Sequence, residues 1–253
     1  MELKGKAAVI TGGGTGVGRA TALSLAKLGC SVLVNYSRSQ KEAEETAAEA
    51  AKFGVKTIAY KADVSVDAEC RAMIKKAADD FGRLDILVNN AGTTRLVPHH
   101  ELDSVTDEDW ERILMVNLKG PFQCSRAAKE ALDASGDGII INIASIAGIK
   151  AVGTSIPYCN SKAGLINQTI ALARVLGPTI RVNCIAPGFI DGEWLKKSLG
   201  KDYDAIKQIA EGSAPLGKVC KPEDVADAIL SLITGSKLIT GQIIAVEGGM
   251  LLS

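Results

Sequence analysis

The chain has 253 residues, with 29 Lys+Arg set against 29 Asp+Glu, so its formal net charge is zero. That balance excludes the basic excess of a typical nucleic-acid-binding domain. With 47% hydrophobic and 23% charged residues, the composition excludes a chain disordered throughout. No run of about 18 uncharged apolar residues offers a transmembrane helix, and the first residues, MELKGKAAVITGGG, lack the plan of a signal peptide. The six cysteines, Cys30, Cys70, Cys124, Cys159, Cys184 and Cys220, form no CxxC pair and read as reduced thiols of a cytoplasmic protein. The only histidines are the neighbours His99 and His100. They leave no material for a multi-histidine zinc site, so no metal is expected.

In chain order, strands are predicted at 7–11, 31–36, 56–61, 84–89, 138–144, 179–184 and 242–246. Helices are predicted at 16–28, 40–53, 66–81, 107–134 (broken near Gly120-Pro121) and 157–176. Strands alternating with helices imply βαβ crossovers and a parallel sheet covered on both faces. The expectation is an α/β fold of one domain over 1–253, a length that such a domain reaches. Residues 189–217 break the alternation and read as an inserted lid over the carboxyl edge of the sheet.

The first strand runs into Thr11-Gly12-Gly13-Gly14-Thr15-Gly16-Val17-Gly18 and at once into an Ala- and Leu-rich helix. Glycines let a backbone turn tightly and approach a pyrophosphate, while free N–H groups and the helix dipole favour an anion there. This context points to a dinucleotide site, with Gly12, Gly14, Thr15, Gly16, Val17 and Gly18 as candidates. G-x-G-x-x-G fits in no register; T-G-x-x-x-G-x-G fits through Thr11, Gly12, Gly16 and Gly18. The second strand ends Asn35-Tyr36-Ser37-Arg38, where a site for a ribose 2′-hydroxyl carries an acid. No carboxylate repels a 2′-phosphate, and Ser37 and the guanidinium fork of Arg38 suit one. NADP(H) is therefore favoured over NAD(H), with Tyr36, Ser37 and Arg38 as the residues concerned.

Tyr158-Cys159-Asn160-Ser161-Lys162 opens a predicted helix, and i,i+4 spacing puts Tyr158 and Lys162 on one face. A second YxxxK, Tyr203 to Lys207, is an internal decoy. Context separates them: thirteen residues before Tyr158 stands Ser145, after the most apolar strand, whereas thirteen before Tyr203 stands Ile190. Tyr203 is therefore read as a packing residue.

With these residues, the chain resembles the short-chain dehydrogenase/reductase family over essentially its whole length. The resemblance rests on Thr11-Gly12 to Gly18, Asp63-Val64, Asn89-Asn90-Ala91-Gly92, Asn117, Ser145, Tyr158/Lys162, Pro187-Gly188 and the Gly241 to Gly249 segment. It implies a seven-stranded parallel, doubly wound Rossmann sheet and hydride transfer at a nicotinamide. It also implies Asp63 and Val64 at the adenine, and Asn90, Ala91 and Gly92 at the nicotinamide ribose. Pro187, Gly188, Phe189 and Ile190 would then meet the nicotinamide ring. Taken singly, Asp63 reads equally as a helix-entry residue, Asn90 as a strand-end turn and Asn117 as a mid-helix polar residue.

The chemistry is coherent. A carbonyl receiving hydride develops negative charge on oxygen, which needs a donor and then a proton. Tyr158 is the expected proton donor in reduction and base in oxidation, Ser145 binds the substrate oxygen, and Lys162 favours phenolate and binds the cofactor ribose. Asn117 would hold a water between Lys162 and solvent. A free phenol titrates near 10, so work near neutrality needs a downward shift of about three units, on the order of 4 kcal/mol.

Two departures stand out: Gly192 where the family commonly has a threonine that touches the cofactor, and Thr15 where NADP-preferring members often carry arginine. Substrate selection is expected from 93–102 and 189–217. There Arg95, His99 and His100 could meet an anion, and Trp194 and Leu195 an apolar body. Arg126 and Lys129 could dock an acidic carrier protein, although such a helix face is usually just solvated. The chain most resembles the 3-oxoacyl reductase and glucose or polyol dehydrogenase branches. The expected substrate is a small carbonyl or alcohol, an acyl thioester first, with a sugar or polyol as the alternative. A non-catalytic dinucleotide-binding regulator is the rival outside enzymes. Family resemblance also implies a homotetramer, and neither nucleic acid nor membrane is an expected partner.

Overall fold

The computed structural model describes residues 1–252. Among them, seven strands form one sheet: β1 (Ala7–Ile10), β2 (Ser31–Tyr36), β3 (Thr57–Lys61), β4 (Ile86–Asn89), β5 (Gly138–Ile143), β6 (Ile180–Pro187) and β7 (Ile243–Val246). Their order is β3-β2-β1-β4-β5-β6-β7, and every pairing is parallel. This is the expected doubly wound Rossmann sheet. Its order reverses between β1 and β4, where open α/β sheets bind ligands at their carboxyl edge.

The strands are mostly apolar because both faces of the sheet are covered, with Asn35, Asn89, Asn142, Arg181 and Asn183 as buried polar exceptions. Side chains alternate between faces: Ile139, Ile141 and Ile143 of β5 join one cluster, and Ile140 joins the other. Burying such a side chain contributes about 1.5–3 kcal/mol. On the first face lie α1 (Gly16–Lys27), α2 (Gln40–Ala51) and, further along the chain, Pro222–Thr234. The second face packs α3 (Asp67–Phe81) and the helix Gly120–Ser135.

Two predicted elements differ most from expectation. The 107–134 segment does not break at Gly120-Pro121. α4 (Asp107–Leu114) passes through a π turn, Met115–Lys119, into α5 (Gly120–Ser135). Pro121 sits in the first turn of α5, directly after the π turn. β6 runs three residues beyond the predicted 184, because Pro187 still pairs in register with Val246 at the strand's end. After β5 come the short α6 (Ala147–Lys150) and the long α7 (Ile156–Leu176). Residues 189–217 contain α8 (Glu193–Leu199) and α9 (Tyr203–Ser213), and then follows α10 (Pro222–Thr234). No helix among the described residues is long and apolar enough to cross a membrane.

Candidate functional site

At the glycine turn the chain must double back and let α1 approach it closely. A Cβ on Gly18 would stand 2.3 Å from the Gly12 carbonyl oxygen and 2.6 Å from Asn90 Nδ2, so only glycine fits. Gly16 has φ +51° and nothing within 4 Å of where a side chain would begin. Its left-handed backbone therefore faces open space rather than packing. Thr15 caps α1 without a side-chain hydrogen bond, and no acid lies in the first turn. An open cradle at an uncapped helix N-terminus fits a pyrophosphate. Gly14 has a different reason to be glycine: its missing side chain admits the Ala43 backbone of α2, 2.8 Å from the Cβ position.

Two asparagines hold this turn in place. Gly12 N–H donates to Asn35 Oδ1 at 3.2 Å, while Asn35 Nδ2 donates to the Ala62 carbonyl at 2.9 Å. Asn90 Nδ2 donates to the carbonyls of Thr11 and Gly12 at 2.9 and 3.0 Å. The N–H groups of Asn90 and Ala91 both donate to Thr11 Oγ1. The side chain of Asn90, expected at the ribose, thus binds the two loops together. Val64 is buried, and its carbonyl accepts from Gln123 Nε2 at 2.8 Å. Asp63 is exposed and accepts from Ser65 N–H and Oγ–H. Tyr36 is buried at the end of β2, whereas Ser37 and Arg38 beyond it are exposed.

The catalytic candidates converge from three elements: Ser145 follows β5, Tyr158 and Lys162 lie one turn apart on α7, and Asn117 lies in the π turn. Ser155 caps α7 by accepting from Tyr158 N–H, which fixes Tyr158 at the helix entrance. Ser145 lies close enough to the Tyr158 phenol to act on its ionisation, and Ser145 Oγ accepts from Ala147 N–H at 3.1 Å. Lys162 is buried, donates from Nζ to the Ile143 carbonyl at 2.7 Å, and stands 5.7 Å from the Tyr158 ring centre. A Cβ on Gly92 would lie 3.8 Å from Lys162 Nζ and 3.6 Å from Asn117 Oδ1, so the end of β4 borders the same group.

Burial pushes Tyr158 up to about 12, although Ser145 pulls the other way, and burial brings Lys162 down to about 8. The downward shift expected for the phenol is therefore absent from the protein alone, because desolvation of phenolate outweighs a lysine directed at Ile143. Asn117 is held in place by its side chain. Its Oδ1 accepts from Thr93 N–H at 2.8 Å, and its Nδ2 donates to Thr93 O and Ser161 Oγ. All these bonds tie the loop after β4 to α7.

Beyond β6, Gly188 N–H donates to the Val246 carbonyl, and Ile190 bridges to Cys220. Next, Asp191 accepts from Tyr203 Oη and from Lys207 Nζ, both at 2.6 Å. Both ends of the decoy YxxxK thus meet one carboxylate, and Tyr203 is buried as expected, 5.7 Å ring to ring from Phe189. The sequence reading missed Asp191, whose only signal was its place beside the Pro-Gly turn. Gly192 has open space around it, and Trp194 lies 6.5 Å from the Tyr158 ring. Arg95 binds Asp109 and the Ser104 carbonyl, so its guanidinium already has internal partners. Arg126 and Lys129 pair with Asp67 and Asp133 while staying about half exposed.

A Rossmann sheet with a glycine cradle at one side of the switch point and a Ser-Tyr-Lys cluster at the other defines an oxidoreductase that uses a nicotinamide dinucleotide. The chain belongs to the short-chain dehydrogenase/reductase family. Residues 12–251 match the family model described as enoyl-(acyl carrier protein) reductase. The chain is 41% identical to ketoacyl reductase 2 of the granaticin polyketide synthase of Streptomyces violaceoruber, over 96% of this chain and 94% of that one. It is 37% identical to the 3-oxoacyl-[acyl-carrier-protein] reductase FabG of Staphylococcus aureus, over 97% and 98%. Among solved structures, a short-chain dehydrogenase/reductase of Burkholderia xenovorans superposes with a TM-score of 0.91 at 37% identity, covering 98% of each chain. NAD+-bound xylitol dehydrogenase superposes at 0.90 and 26% identity, over 98% of this chain and all of that one.

Proposed function

We propose that the chain is an NADP(H)-dependent ketoreductase acting on 3-oxoacyl thioesters. The observation that carries the reading is the buried Lys162 ammonium 5.7 Å from the Tyr158 ring, one turn along α7, with Ser145 beside the phenol after β5. The bound dinucleotide would supply the hydride. Ser145 would hold the substrate oxygen by a hydrogen bond. Tyr158, which keeps its proton because burial disfavours phenolate, would give that proton to the oxygen as charge develops. The Lys162 ammonium would stabilise the phenolate left behind, and Asn117 would hold α7 against the loop after β4. The glycine turn, Asp63-Val64, Asn90-Ala91-Gly92 and Pro187-Gly188 with Ile190 would line the dinucleotide, and 189–217 would act as lid. The ketoacyl reductase relatives support the substrate class.

NADP(H) preference rests on Ser37 and Arg38, exposed past β2 with no carboxylate beside them. Arg38→Ala should lower the ratio of NADPH to NADH affinity about tenfold, read by fluorescence titration; an unchanged ratio would remove the preference. The polyol alternative is favoured by the superposition on xylitol dehydrogenase. Steady-state rates with an acetoacetyl thioester and NADPH, against xylitol or glucose and NAD(P)+, decide between the two. Turnover of the polyol alone would displace the proposal.

Exposed Phe122, Ile170 and Val175 on α5 and α7, and Leu238 and Ile244 near β7, support assembly as a homotetramer through two faces. Six free, buried cysteines fit a reducing, cytoplasmic setting.

A further inference from the structure

The segments bordering Tyr158 carry apolar side chains, and Arg95, Arg112, Lys196 and Lys207 on or near them are already engaged, whereas Lys197 stays exposed. Trp194 lies 6.5 Å, ring to ring, from Tyr158 and is 48% exposed. Facing Tyr158 from another side is residue 153, where a Cβ would sit 3.5 Å from Tyr158 Cδ1. The segment around it is joined to the loop after β4, because Val97 N–H donates to the Thr154 carbonyl and the Thr94 and Thr154 hydroxyls share a hydrogen bond. On these two joined segments Leu96 and Val152 are 46% and 52% exposed.

Neighbouring charges have internal partners. Arg95 is held by Asp109 and Ser104, and Arg112 by Thr93 and Thr94. Lys196 pairs with Glu193 over the Tyr203 ring, and Lys207 binds Asp191. His99 Nε2 stands 3.9 Å from Cys159 Sγ.

A polyol entering such a mouth leaves hydroxyls without partners, which is penalised on burial. An anionic body meets no uncommitted guanidinium among these groups. A flat apolar body meets the indole face. Resting on the ketoreductase reading, we propose that Trp194 is a specificity residue that selects 3-oxoacyl substrates with a large apolar body, aryl in preference to methyl.

The test uses two esters that differ only in that body, ethyl benzoylacetate and ethyl acetoacetate, with NADPH. The ratio of their kcat/KM values should favour benzoylacetate about tenfold, the factor available from one aromatic contact. Trp194→Ala should bring the ratio close to one, and Trp194→Phe should keep most of it. Should Trp194→Ala fail to fold, Trp194→Leu serves, since it keeps an apolar side chain without the flat ring. A wild-type ratio near one, or a ratio unmoved by both Ala and Leu, overturns the inference while leaving the ketoreductase reading in place. Turnover of xylitol with neither ester reduced overturns that reading as well.

Discussion

Two Tyr-x-x-x-Lys turns of identical spacing stand within one chain, and their surroundings give them opposite characters. Around Tyr158 and Lys162 there is no carboxylate partner among the described residues: the phenol meets Ser145, the ammonium meets a backbone carbonyl, and burial brings Lys162 down to about 8. Around Tyr203 and Lys207 a single carboxylate, Asp191, binds both: it raises the pKa of Lys207, adds to the rise that burial gives Tyr203, and has its own lowered. A lysine whose charge is neutralised by a neighbouring acid is a clasp. One held in a dry site without an acid keeps its charge available to a developing phenolate. Spacing brings the two side chains together, and the partner decides what they do.

The largest test of that contrast is removal of each phenolic hydroxyl. Tyr158→Phe should lower kcat for NADPH-dependent reduction by a factor of about 10²–10⁴, the range of general acid catalysis. Tyr203→Phe, which keeps its packing on Phe189, should stay within about twofold. Equal losses in the two variants would abolish the distinction.

Titration separates the pair next. The lowered pKa of Lys162 means that its charge is lost as pH rises through about 8. Lys207, raised by Asp191, keeps its charge well beyond that point. A pH profile of kcat for reduction should therefore fall above about pH 8, and a profile flat to pH 10 would show that Lys162 does not act through its charge.

The smallest effect belongs to the clasp itself. Asp191→Asn should raise KM for the carbonyl substrate severalfold with kcat nearly unchanged, because the carboxylate acts through the segment that carries Trp194. Steady-state kinetics reads this split, and a loss confined to kcat would place Asp191 in the chemistry instead.

The sheet was legible because each β strand of a doubly covered parallel sheet is a short continuous apolar run, and β5, GIIINI, is the plainest example. Tyr158, Lys162 and Ser145 were legible because one helical turn and one strand end fix their proximity. What stayed hidden depends on contacts between distant segments. Nothing local marks Asn35 and Asn90 as the bonds that hold the glycine turn, 23 and 78 residues away from Gly12. Nor does composition show that Asp191 lies opposite Tyr203 and Lys207. The direction of the Tyr158 shift was misjudged because a sequence displays the nearby positive charge but not the dry surroundings that oppose ionisation. α10 escaped despite a proline in its first turn and Val225, Ile229, Leu232 and Ile233 at helical spacing, a pattern that was readable.

The π turn at Met115–Lys119 has a consequence for how this gene can change length. A π turn accommodates one residue more than an α turn, and here it lies between α4 and α5. Deleting one codon from this stretch would leave a regular α turn with the two flanking segments at nearly the same relative rotation, so Cys124, Ala128 and Leu132, the buried stripe of α5, would stay on the sheet. A deletion within regular α4 or α5 would instead rotate that stripe by about 100°. What the swollen turn holds is Asn117, whose bonds to Thr93 and Ser161 would shift with the lost residue. A one-residue deletion here should accordingly be tolerated by the fold while loosening the loop after β4 from α7.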